Sequence, residues 1–224
     1  MEYRCVATSV EGFVQQLAVA YITHGYWFYV MGAIPEGKDP AGVDAKLIDR
    51  YGIAISKWAR CRRKKQGLAN MQYLRHGRFF VLLATKGRHE FFEREKAVIR
   101  DVRRKSIKFG GYSIACRKGR DGRWHASVRI ESNQLADLKA VALEIGGCSA
   151  SRLLETEFRR LSIQPYAPIR RQRLEIWGIL NRARGRNGLD CLPVSALALK
   201  RRVLRPFSHT DTEPTITGKE RFGV

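Results

Sequence analysis

The hydrophobic positions change their period several times along this chain, and each change marks an element. Val10, Phe13, Val14, Leu17, Ala18 and Tyr21 recur at steps of three and four, which predicts an amphipathic helix opened by a Thr8/Glu11 capping box and stopped at Gly25. Tyr26-Trp27-Phe28-Tyr29-Val30-Met31 is continuous and aromatic, the pattern of a buried strand ending before Pro35. Asp39-Pro40 reads as a helix start with proline in the first turn, and Val43, Leu47 and Ile48 then share one face up to Gly52. Ser56 opens a second helical run over residues 57–66, closed by Gly67. Segments 71–74 and 78–83 flank His76-Gly77 as a strand pair around a tight turn, and residues 91–102 are charged and read as helix. Residues 107–117 and 124–130 predict another hairpin turning at 119–122, with an alternation too imperfect to say which face is wet.

From Ser132 the period becomes helical throughout. Residues 133–145, 149–161 and 169–184 each carry an apolar stripe, the last through Leu174, Ile176, Trp177 and Leu180. The expected class is α+β: a largely antiparallel sheet with flanking helices, followed by a helical C-terminal subdomain. The expected organisation is an α+β sheet domain at 1–131, a basic helical subdomain at 132–205 and a flexible polar tail at 206–224. Residues 17–34 are apolar enough to suggest a membrane span, but Thr23-His24-Gly25 interrupts them, so helix, stop and strand explain the same letters better and no membrane partner is expected.

Charge changes the picture from fold to partner. Among 224 residues, 42 are Lys or Arg against 21 Asp or Glu, a formal net charge of +21, and a hydrophobic share of 44% is still sufficient for a core. Such an excess points to a polyanion only if it clusters. Lys57, Arg60, Arg62, Arg63, Lys64 and Lys65 follow one another without an acid, and mutual repulsion on one short helix gives no reason to collect them unless phosphates are bound. Trp58 and Cys61 are expected to anchor that helix to the core. Arg103, Arg104, Lys105 and Lys108 form a second run. Arg170, Arg171 and Arg173 form a third at a helix start, where the macrodipole disfavours cations. Arginine supplies much of the charge, and its planar fork suits phosphates and base edges. The expectation is a nucleic-acid-binding protein, DNA or RNA, using these residues for phosphate contacts and requiring them on one exposed surface. A mobile element, or a replication or recombination system, fits by association only. Tyr73, Tyr112, Trp124 and Tyr166 stand near the basic runs as possible stacking residues for unpaired bases. Helices after Ser132 could form a helix-turn-helix-like reader, though no strict signature supports it.

Recognisable catalysis is missing. No HExxH, paired metal-binding histidines, P-loop or GxGxxG occurs, so neither a metal site nor a cofactor is expected. The competing enzymatic reading is a nuclease or strand-transferase drawing acid–base groups from His76, His125, Glu90, Glu93 and Asp101, with His76 and His125 meeting across a sheet. A further alternative is a structural ribonucleoprotein component. Five scattered cysteines, without a CxxC pair, read as single buried thiols of a reducing, cytoplasmic setting.

Overall fold

The computed structural model describes residues 3–150, 152, 154–156 and 163–207, and over them the chain is α+β with two antiparallel sheets. Ser9, not Thr8, starts the first helix, because its hydroxyl accepts the Gly12 N–H at 3.0 Å. This helix, α1 (Val10–Gln15), continues in wider π-type turns over Gln16–Tyr21 and a 3-10 turn over Ile22–His24. Gly25 then reverses the chain at φ 91°, a conformation that favours glycine, and releases it into β1 (Tyr26–Ala33). Asp39 caps α2 (Pro40–Arg50), as its spacing predicts, and Ser56 caps α3 (Lys57–Lys65).

The hairpin of β2 (Met71–His76) and β3 (Phe79–Thr85) adds to β1, giving the order β2-β3-β1-β4 with β4 at Arg100–Asp101. Residues 91–102 are therefore not one helix. Only α4 (Phe91–Arg94) is helical, because Phe91, Phe92 and Ile99 are drawn into a core and Asp101 pairs with Phe28 of β1. The second sheet is β5 (Ile107–Phe109), β6 (Tyr112–Lys118) and β7 (Trp124–Ile130) in that order. The predicted strand at 107–117 is split by Gly110 and Gly111, whose φ of 54° and 79° make a two-residue turn. Val102 joins the two sheets: its N–H donates to the Trp27 carbonyl at 2.9 Å, and its carbonyl accepts the Cys116 N–H at 3.1 Å.

Alternation then sorts the side chains. Val81 and Leu83 of β3 face α1, whereas Leu82 and Ala84 face Tyr51, Ile53 and Phe91 in a second cluster. Asp44 of α2 fixes that second layer. Its carboxylate accepts the Tyr73 hydroxyl at 2.6 Å and pairs with the Arg75 guanidinium at 2.8 Å, all three groups being largely out of water. In the second sheet Tyr112, Ile114, Cys116, Val128 and Ile130 point into the α1 core, leaving Ser113, Arg117 and Arg129 on the opposite face.

Beyond residue 131, α5 (Ser132–Glu144) and α6 (Ala167–Arg186) share the same core as the sheet, through Ala142, Ile169, Ile176 and Leu180. Leu174, counted in the predicted stripe, is exposed instead. Gln172 of α6 closes the free edge of β7, accepting the Ile130 N–H at 2.9 Å and donating to its carbonyl at 3.4 Å. Residues 206 and 207 do not belong to a free tail. The Pro206 carbonyl accepts the Thr8 N–H at 3.0 Å, and Phe207 packs on the core. The rest of the expected tail, 208–224, lies outside the described residues, as does much of the expected helix 149–161 that a helix-turn-helix reader would need. Among the described residues no helix is long and apolar enough to cross a membrane.

Candidate nucleic-acid interface

Helix α3 lies on the surface and buries none of its residues. Ser56 starts it by accepting the Ala59 N–H at 3.1 Å, and Gly67, at φ 70°, ends it. The expected apolar anchors do not operate: Trp58 is 79% exposed and Cys61 is exposed too. Polar groups tie the helix down in their place. Arg60 donates to the Ile53 carbonyl at 3.1 Å, and the Asn70 amide donates to the Arg60 carbonyl at 3.0 Å. Arg63 donates twice to the Ala69 carbonyl, at 3.3 and 3.1 Å. Two of the six cations thus help to hold the helix, while Lys57, Arg62, Lys64 and Lys65 remain exposed. Among the described residues no carboxylate forms an ion pair with any of the six. Arg62 to Lys65 crowd the last turn, where the helix dipole offsets part of their repulsion.

Spacing places Lys57, Arg60, Cys61 and Lys64 on one stripe of α3, and this stripe forms a wall of a groove of about 340 Å³. The opposite side is the corner His24, Gly25, Tyr26 and Trp27, with Asn70, Thr85 and Lys86 between. Four cations line this groove and no acid does. Trp27 connects it to the second basic run, since the Arg103 guanidinium lies 4.4 Å from its ring centroid and 5.4 Å from that of Trp124.

Not every predicted cation is available. Arg103 is bound to Asp101, with its Nη2 2.6 Å from the carboxylate. Partial burial pushes the Asp101 carboxyl up, but the Arg103 hydrogen bonds and charge outweigh it and hold the group below its usual value. Lys108 pairs with Glu131 at 2.6 Å, whereas Arg104 and Lys105 are exposed. At the start of α6, Arg170 and Arg171 are exposed, and Arg170 donates to the Pro165 carbonyl at 3.0 Å. For Arg173 the expectation is corrected: it is 2% exposed and turned into the protein, donating to the carbonyls of Ala198 and Ile163. Arg171 and Arg129 instead line a second groove, of about 400 Å³, which also contains Glu175. Trp124 and Arg129 stand near opposite ends of β7, so the two basic regions are roughly 17 Å apart along that strand. The predicted cations thus share no single groove: Lys57, Arg60 and Lys64 line the first, Arg171 the second, Arg173 lies in the interior, and Arg62, Lys65, Arg104, Lys105 and Arg170 are exposed outside both.

No family model, curated protein or solved structure matches the chain.

The candidate acid–base groups are not brought together. His76 donates its Nδ1–H to the Ala7 carbonyl, 2.9 Å away, and rests edge-on against Phe109, beside Tyr112 at one end of β6. His125 pairs with Arg117 near the other end, about 16 Å along the strand, and lies 2.9 Å from Asp121. The Arg123 backbone N–H, followed by His125, lowers the Asp121 carboxyl below its usual range. Glu90 is bridged to Arg94 at 3.0 Å, the ordinary helix-surface use, and Asp101 is held by Arg103. Among the described residues no group of His, Cys, Asp and Glu could hold a metal ion. Of the expected stacking residues, Tyr73 and Tyr112 are buried core residues, Tyr166 carries Arg201 over its ring at 5.1 Å, and Trp124 is 38% exposed. Cys5 and Cys116 are buried as expected, but Cys61, Cys148 and Cys191 are exposed.

Proposed function

We propose that the protein binds nucleic acid through α3 and the groove beneath it. The observation that carries this reading is the groove's lining: Lys57, Arg60, Lys64 and Lys86 converge on one depression with no acid among its lining residues. Four like charges held together in this way raise the potential in the depression, and phosphates relieve that repulsion more effectively than water does. The Arg170 and Arg171 region, with Arg129, supplies a weaker second contact, because Glu175 shares its groove.

The test is binding of the full chain to labelled single-stranded DNA, duplex DNA and RNA at about 50 and about 200 mM salt. The expected result is affinity that falls steeply with salt, by about 0.7 to 0.9 log units per log unit of salt for each phosphate neutralised. Binding that does not respond to salt contradicts the reading. The same incubations, with Mg²⁺ and with EDTA, check the nuclease alternative, for which cleavage of any probe is the required outcome.

A further inference from the structure

We infer that the preferred ligand of this surface is single-stranded nucleic acid, with an unpaired base stacked on the Trp58 indole. The inference rests on the proposal that α3 binds nucleic acid and goes further by fixing the strand type.

Trp58 is a large apolar ring left 79% exposed on a helix that buries nothing. Burial does not explain it, since the helix is fastened by Arg60, Arg63 and Asn70 through backbone carbonyls. Its surroundings identify what would cover it. Arg62 and Lys65 lie four and seven residues on, so they share its stripe, and the adjoining stripe of Lys57, Arg60 and Lys64 faces the groove. An indole flanked on both sides by cations offers a base face and its neighbouring phosphates their natural partners at once. A second copy of this chain fits poorly, because it would bring the same six cations against these six. Duplex DNA keeps its base faces inside the stack, leaving the exposed ring without a matching surface; an unpaired strand presents them. The Trp27 and Trp124 pair, with ring centroids 6.2 Å apart beside the same groove, continues the aromatic and basic surface in the direction of β7.

The experiment uses the full chain and its Trp58→Ala and Trp58→Phe variants, with oligothymidylate of about 16 nucleotides and a blunt duplex of equal length as probes. The expected result is tighter wild-type binding to the single strand and a loss of about 5- to 100-fold in Trp58→Ala, largely recovered in Trp58→Phe. Saturation with the single strand should quench tryptophan fluorescence in the wild type more than in Trp58→Phe. Thermal melts should match the wild type, since the ring touches no core. Single-strand affinity unchanged in Trp58→Ala, or tighter binding of the duplex, overturns this inference while leaving the nucleic-acid reading standing. Failure of the wild type to bind either probe, or RNA, at low salt overturns both.

Discussion

Helices α3 and α6 are both arginine-rich, yet they divide their charge differently between water and the fold. In α3, Lys57, Arg62, Lys64 and Lys65 stand in water, and Arg60 and Arg63 stay half-buried where they donate to main-chain carbonyls. In α6 Arg173 and Arg184 are 2% and 1% exposed, and their guanidinium groups donate to main-chain carbonyls of connecting segments: Ala198 and Ile163 for Arg173, Asp190 and Cys148 for Arg184. Most of the α3 charge is thus left in water, while two α6 arginines lie inside the protein and fasten irregular backbone that no sheet or helix satisfies. Burial has a cost, visible in Arg173, whose pKa is lowered by desolvation. A run of basic residues in a sequence therefore does not by itself distinguish a ligand site from an internal brace.

Substitutions can break this contrast. The largest effect is expected for Arg173→Ala, which empties the space of a buried side chain and takes the donor from the buried Ile163 carbonyl and from that of Ala198; it should destabilise the fold by about 2–5 kcal/mol in denaturant titrations, with no separate effect on salt dependence. Arg63→Ala is the intermediate case, because Arg63 belongs to the exposed helix but donates to Ala69. It should reduce stability by about 1–2 kcal/mol and weaken binding together, whereas substitution of purely ligand-facing residues should weaken binding alone.

A pH series sharpens the same boundary. Burial, aided by Arg63, holds His89 below the ordinary histidine value. The unfolded chain then takes up the proton more readily, so stability is complete above about pH 6.5 and declines as pH falls through the lower folded value. Melting temperatures should drop over that window, and less so in His89→Asn, which can still accept the Phe91 N–H that Nδ1 accepts at 3.1 Å. The smallest effect is expected for Arg62→Ala: stability within about 0.5 kcal/mol of the wild type, checked by the same titrations, and weaker binding.

Much of the scaffold is legible in the letters. The Asp39 and Ser56 caps, the Gly77 turn and the Gly25 stop each rest on a local rule that tertiary packing does not override. Residues 91–102 depart from the expected helix because packing decides them: Phe91, Phe92 and Ile99 serve a core cluster, and the charged positions between them imitate a helix face. The break at Gly110 is available in the paired glycines but hidden by the surrounding strand formers. At the candidate site, the α3 cluster is visible as six cations without an acid. The burial of Arg173 is foreshadowed by spacing, which puts it on the Ile169, Ile176 and Leu180 stripe and leaves Arg171 off it, but the cationic side chain masks that signal, and the carbonyls that satisfy it come from connecting segments the helix pattern does not reveal. Trp58 imitates an anchor because an aromatic residue in a short helix ordinarily faces inward. Its surroundings, almost wholly cationic, are the signal against that.

The central claim is tested most directly by replacing Lys57, Arg62, Lys64 and Lys65 together by Ala and measuring affinity for single-stranded DNA across a range of salt. The claim predicts a wild-type melting profile, much weaker binding at low salt, and a log–log salt slope shallower by about 0.7 for each phosphate no longer neutralised. Wild-type affinity with an unchanged slope would show that nucleic acid, if bound, is bound elsewhere, and would contradict the assignment of α3.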